Sequence, residues 1–180
     1  MTWLRPANWL GALFLSINIL ASGCSRDPYF GWHEVVSNEH KFKSKMPGKP
    51  QERMMTAPDG REVVIWDLKD ETAKRGQGYN VNASPAPIAD SEVTKAAYDN
   101  VRDKFLERFN GKLLGESDFT RNGKLVGRQI ELEIREIRNK ARTLFVYSDG
   151  RFYQVSVMGD PKWEGWKKAD RFFNSFELLP

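Results

Sequence analysis

The stretch KLLGESDFTRNGKLVGRQIELEIREIRNKARTLFVYSDGRFYQVSVMG, residues 112–159, decides the fold. Two dipeptides inside it, Asn122-Gly123 and Asp149-Gly150, belong to the class that tolerates the positive φ angles of a type I′ turn, and each is flanked by residues of strand character. They predict two hairpins, 112–121 with 124–137 and 142–148 with 151–158. Together these make a four-stranded antiparallel meander. Along the second strand Val126, Arg128, Ile130, Leu132, Ile134 and Glu136 share one parity, while Leu125, Gly127, Gln129, Glu131, Glu133 and Arg135 share the other. The first set is apolar around 130–134 and the second is charged there, so one face meets a core and the other is wet.

Upstream, SPAPIAD at 84–90 holds two prolines and reads as a loop. Beyond it Asp90 or Ser91 offers a cap, and Val93, Ala97, Val101, Phe105 and Phe109 recur every four residues, with Ala96 and Leu106 beside them. This predicts a helix closed by Gly111 as its C-terminal cap. Earlier still, strands are expected at 32–36, 41–46, 52–56, 62–68 and 79–83. Pro47 and Pro50 end the second of them, and a Pro58-Asp59-Gly60 turn joins the third to the fourth. Downstream, Trp163, Trp166, Ala169, Phe172, Phe173 and Phe176 step by three and four, a terminal helix with an aromatic stripe for the sheet.

The N-terminal segment MTWLRPANWLGALFLSINILASGC has one positive charge, Arg5, then an uncharged run to Ala21, and ends at the only cysteine of the 180 residues. A spanning helix needs about 20 apolar residues, and this run is shorter and interrupted by Asn8, Ser16 and Asn18. The segment is read as a secretory signal over 1–23 with a lipobox-like end. Ala21 and Gly23 also satisfy the rule for ordinary signal-peptide cleavage, and a retained signal anchor is the remaining alternative. All three place the rest of the chain outside the cytosol. A lone thiol at a new terminus needs an explanation, and lipidation of Cys24 provides one. Residues 24–31 then form a tether of ~20–25 Å when extended, and 32–180 form a single α/β domain.

The 28 basic residues exceed the 24 acidic ones only slightly. Arg102, Lys104, Arg121, Lys124, Arg128, Arg135, Arg138, Lys140 and Arg142 are scattered among acids, which reads as a solvated surface and gives no nucleic-acid footprint. With Cys24 consumed, no disulfide, cysteine nucleophile or thiolate metal site remains within one chain. His33 and His40, near Glu34 and Glu39, are the sole histidine pair, and no third ligand has recognisable spacing. Glu131 and Glu133 stand two apart on one strand face, at a separation where a hydrolytic carboxylate pair could operate. The plainer reading is a solvated strand face opposed by charges such as Arg142. GQGYN at 76–80 lacks the lysine and strand-to-helix context of a phosphate loop and reads as an ordinary loop. Trp163 and Trp166 could stack a sugar or line a peptide groove, but core packing explains them as well. No catalytic, cofactor or metal motif is found.

Three pieces, FKSKMPGKP at 42–50, RTLFVYSDGRFYQVSVMG at 142–159 and ADRFFNSFELLP at 169–180, resemble segments of small exported bacterial proteins. The order of elements is similar to the PsbP-like and Mog-like α/β/α sandwich, a group that includes DcrB-like lipoproteins and photosystem accessory proteins. The resemblance implies an α+β fold with a central antiparallel sheet of about six to seven strands and helices packed on both faces. It also implies an accessory, non-enzymatic role. The expected function is a membrane-anchored extracytoplasmic lipoprotein, a binding or accessory module of the cell envelope. Its partners are the membrane, through the lipid, and an envelope protein. The rivals are a carrier of a small apolar or aromatic ligand, with its pocket between sheet and helix, and a hydrolase using Glu131 or Glu133.

Overall fold

The computed structural model describes residues 31–69, 76–121 and 124–180. The leader, Cys24, the tether up to Phe30 and the Asn122-Gly123 turn lie outside the described residues. The meander expected from 112–159 is present as β6 (Gly111–Arg121), β7 (Lys124–Ile134), β8 (Asn139–Ser148) and β9 (Arg151–Gly159). At the second hairpin Asp149 and Gly150 have φ of +50° and +68°, as a type I′ turn requires. Strand β7 stops at Ile134, short of the expected 137. Arg138 takes a φ of +54° in the turn that follows, and β8 starts three residues early, at Asn139.

The N-terminal strands β3 (Gln51–Thr56), β4 (Glu62–Lys69) and β5 (Gly78–Pro85) join the meander through β9. The result is a seven-stranded antiparallel sheet in the order β3-β4-β5-β9-β8-β7-β6. Strands β1 (His33–Ser37) and β2 (Phe42–Met46) form a separate sheet with a short C-terminal strand, β10 (Glu177–Leu178). Neither this second sheet nor β10 was expected. Two residues carry no readable periodicity, and Leu178 reaches Phe42 across most of the chain.

Helix α1 (Lys95–Arg108) is shorter than its periodic pattern. Asp90–Glu92 form a single 3-10 turn, closed by Glu92 accepting from the Ala89 amide, and Thr94 rather than Asp90 or Ser91 caps the helix by accepting from the Ala97 amide. Phe109 closes the other end and Asn110 takes the positive φ, so Gly111 opens β6 instead of capping. Tyr98, absent from the expected stripe, is the fully buried anchor, while Ala96 is exposed. Helix α2 (Trp166–Asn174) buries Ala169, Phe172 and Phe173 as expected.

The helices lie on opposite faces of the large sheet. On the α2 side the core holds Trp66, Tyr79, Val81, Leu144, Tyr153, Val155 and Val157, roofed by α2 and the small sheet through Phe42 and Met46. On the α1 side it holds Ile130, Leu132, Ile134, Phe145 and Tyr147, with Val101, Phe105 and Leu106 of α1 above them. Ile130, Leu132 and Ile134 are thus buried, as the parity of β7 required.

Candidate functional site

Strand register lays the α1 face out in transverse rows. One row runs Arg53, Ile65, Asn82, Gln154, Phe145, Arg128, Asp118 across all seven strands, and its neighbour runs Gln51, Asp67, Asn80, Ser156, Thr143, Ile130, Glu116. One helix of about 10 Å diameter covers only part of a face roughly 29 Å wide. Helix α1 packs over β6 and β7, leaving Arg53, Ile65, Asn82 and Gln154 of the first row and Asp67 and Asn80 of the second under a groove of ≈ 650 Å³. That volume is within the range of small-molecule sites. Phe105, Arg108 and Phe109 of α1 form one wall, and Met55, Val63, Ile65, Phe152 and Met158 supply apolar floor and sides.

The floor is not uniformly apolar. Asn80 and Asn82 each keep a side-chain oxygen out of solvent with no hydrogen-bond partner. A buried acceptor left without a hydrogen bond is unfavourable, so the two oxygens are a local cost of the fold. Beside them Gln154 donates to the Ser156 hydroxyl at 3.1 Å, and Thr143 and Ser156 pair at 3.0 Å. Asp67, nearly buried, takes the Arg53 guanidinium at 2.9 Å and Lys69 at 3.5 Å. At the other end Arg61 pairs with Asp59 at 2.6 Å and donates to the Pro85 carbonyl at 2.8 Å. The Arg61 hydrogen bonds hold the Asp59 carboxyl below the usual carboxylate range.

A second polar cluster ends the same row. Arg128 is 1% exposed, a correction to its expected place among solvated cations. Its guanidinium donates to Asp99 of α1 at 2.6 Å and to Glu116 of β6, and its Nε lies 2.8 Å from Asp118. Arg102 joins the cluster through Asp99, Asp103 and Glu116. The signal was present in the sequence, since Arg128 shares the parity of Ile130 and Leu132. A cation at a core parity demands acids facing it, and α1 and β6 carry them.

The residues singled out from sequence do not meet in the groove. His33 is exposed, whereas His40 packs edge-on against Trp66 at 5.4 Å and its carbonyl accepts from Tyr153. Among the described residues no group of three potential metal ligands occurs. Glu131 sits opposite Arg142 and pairs with Lys140 at 3.4 Å, and Glu133 is opposite Lys140, both away from the groove. Trp163 packs on Tyr79 at 5.4 Å, and the Trp166 indole donates to the Asp160 carbonyl, so this pair seats α2. GQGYN is only partly loop. Gly76 and Gln77 border the groove and Gly78 starts β5, where an added Cβ would lie 2.3 Å from the Leu68 carbonyl oxygen.

No family model matches the sequence, and no curated protein matches it. The solution structure of cyanobacterial PsbP (CyanoP) from Synechocystis sp. PCC 6803 superposes with a TM-score of 0.63 over 88% of this chain and 99% of that one. The fold is PsbP-like. At 11% identity the likeness carries the fold alone and assigns no residue a role. The Ran-binding protein Mog1p of Saccharomyces cerevisiae and a mutant of the protein Mog1 align at a TM-score of 0.48, with 11% and 10% identity, over 83% of this chain and 96% of theirs. Within the PsbP-like sheet the groove is a property of this chain's own residues.

Proposed function

We propose that this chain is a membrane-anchored extracytoplasmic binding protein, tethered through lipidated Cys24 and without catalysis of its own, that holds a small ligand in the groove between α1 and the open half of the sheet. The observation that carries the binding role is the ≈ 650 Å³ groove that α1 leaves open over the β3, β4, β5 and β9 half of the sheet, lined by apolar side chains together with Asn80, Asn82 and Gln154. The sequence of residues 1–24 carries the anchor. Docking of an envelope protein is the second reading. Exposed Leu114 and Phe119 on the edge strand β6 favour it, because large apolar side chains on an open edge invite a partner.

Binding is tested with N-phenylnaphthylamine, a neutral probe that brightens in apolar sites. Wild type is expected to brighten it, and Asn82→Trp, which fills the groove, to abolish the signal while circular dichroism is unchanged. No brightening by the wild type sinks the groove reading. For the anchor, radiolabelled palmitate is expected to enter wild-type protein in cells and not Cys24→Ala. Equal labelling of the two would remove the lipid from the proposal.

A further inference from the structure

We infer that the groove selects a single-chain amphiphile with an acidic head, of the fatty-acid kind, over neutral or cationic molecules with the same tail. The inference rests on the groove-binding reading and adds the charge of its ligand. Among the described residues four cations line the groove, Arg53, Arg61, Lys69 and Arg108, against one lining carboxylate, Asp67. Asp67 is shared by Arg53 and Lys69, and Asp59 answers Arg61 from beside the groove. Arg108 has no carboxylate within ion-pairing distance among the described residues and leans on the Phe109 ring at 5.7 Å.

Among the described residues the groove thus carries a positive surplus, set in a lining that mixes apolar side chains with the amides of Gln77, Asn80, Asn82 and Gln154. A neutral hydrophobe would leave that surplus unanswered, and a cationic one would add to it. An anionic head meets Lys69 or Arg108 in a charge-assisted hydrogen bond, while its chain lies along Met55, Ile65, Phe105 and Met158. The volume suits one molecule of drug size. Lys69 and Arg108 are exposed at the groove mouth, so the preference is expected to weaken with salt.

Competition against N-phenylnaphthylamine on the intact protein tests this. Dodecanoate is expected to displace the probe at concentrations about tenfold below those of dodecanol, with dodecyltrimethylammonium weaker still. In Lys69→Gln/Arg108→Gln, which leaves Asp67 its pair with Arg53 at 2.9 Å, the preference for dodecanoate over dodecanol, each scaled to the variant's own probe affinity, is expected to vanish, and a preference that survives overturns the role of these two cations. Equal displacement by dodecanoate and dodecanol in the wild type overturns the charge preference and leaves the groove reading intact. So does tighter binding of the cation. Absence of probe binding in the first place overturns the groove reading itself.

Discussion

A guanidinium under a helix survives only if acids neutralise it where it lies. Arg128 has three, Asp99, Glu116 and Asp118, contributed by α1 and β6, and its charge fastens the helix to the sheet edge farthest from the groove. Its contact with Asp99 holds that carboxyl below the usual carboxylate range. Asp99 therefore favours the folded state at pH values above its unfolded pKa, and this contribution is lost as pH falls through the lowered folded value. Replacing Arg128 by Leu is expected to lower stability by about 2 kcal/mol in urea titrations. This is less than the 3–5 kcal/mol typical of a broken buried pair, because the orphaned carboxylates keep access to water. In the same variant the Asp99 carboxyl, followed by NMR, is expected to titrate nearer its ordinary value. An unchanged Asp99 would show that Arg128 is not its principal partner.

At the level of elements, Gly127 of β7 is, among the described residues, the glycine of the meander at which a side chain would run into backbone. A Cβ there would stand 2.6 Å from the Phe145 carbonyl oxygen and 3.1 Å from Val146 Cγ2 on β8. Gly127→Ala therefore has to part β7 from β8, and we expect a loss on the order of 2 kcal/mol, as for overpacked cores. Thr94→Ala, by contrast, removes one cap and should lower the stability by about 1 kcal/mol, measurable in the same urea titrations. The meander was legible because turn dipeptides and period-two alternation are local signals. The start of α1 was misread because Asp90 and Ser91 carry cap chemistry too. Asp90 spends its carboxylate on the Gly150 amide across the loop, at 3.0 and 3.1 Å, a contact sixty residues away in sequence. The small sheet escaped for the same reason, since Ser175 meets Lys45 and Glu177 meets Lys43 only after the whole domain has closed. The groove depends on how little of the sheet α1 covers, and no periodicity within one element encodes the uncovered part.

The whole molecule has two aromatic cores on one shared sheet, and its tyrosines report on both. Burial pushes Tyr98 and Tyr153 up to about 12 and raises Tyr79 and Tyr147 as well. Tyr79 and Tyr153 belong to the α2-side core, Tyr98 and Tyr147 to the α1-side core. A hydroxyl whose folded pKa exceeds its unfolded value near 10 stabilises the fold fully below that pH, and the contribution is lost as pH rises toward the folded value. Stability is thus expected to decline between about pH 10 and 12, with tyrosinate absorbance and far-UV circular dichroism changing together. Ionisation of two tyrosines well before the others would mean that the cores melt separately, against a single cooperative unit. The small sheet adds a consequence of a different kind. Strand β1 is the first described strand, and its pairing with β2 begins at His33 with Met46 and ends at Ser37 with Phe42. Tension applied from the N-terminal side would meet these pairs one at a time, like a zipper, so β1 is expected to peel away before the strands of the seven-stranded sheet part. In a protein tethered at that end, as proposed, the first hairpin would act as a mechanical fuse, yielding while the groove keeps its shape.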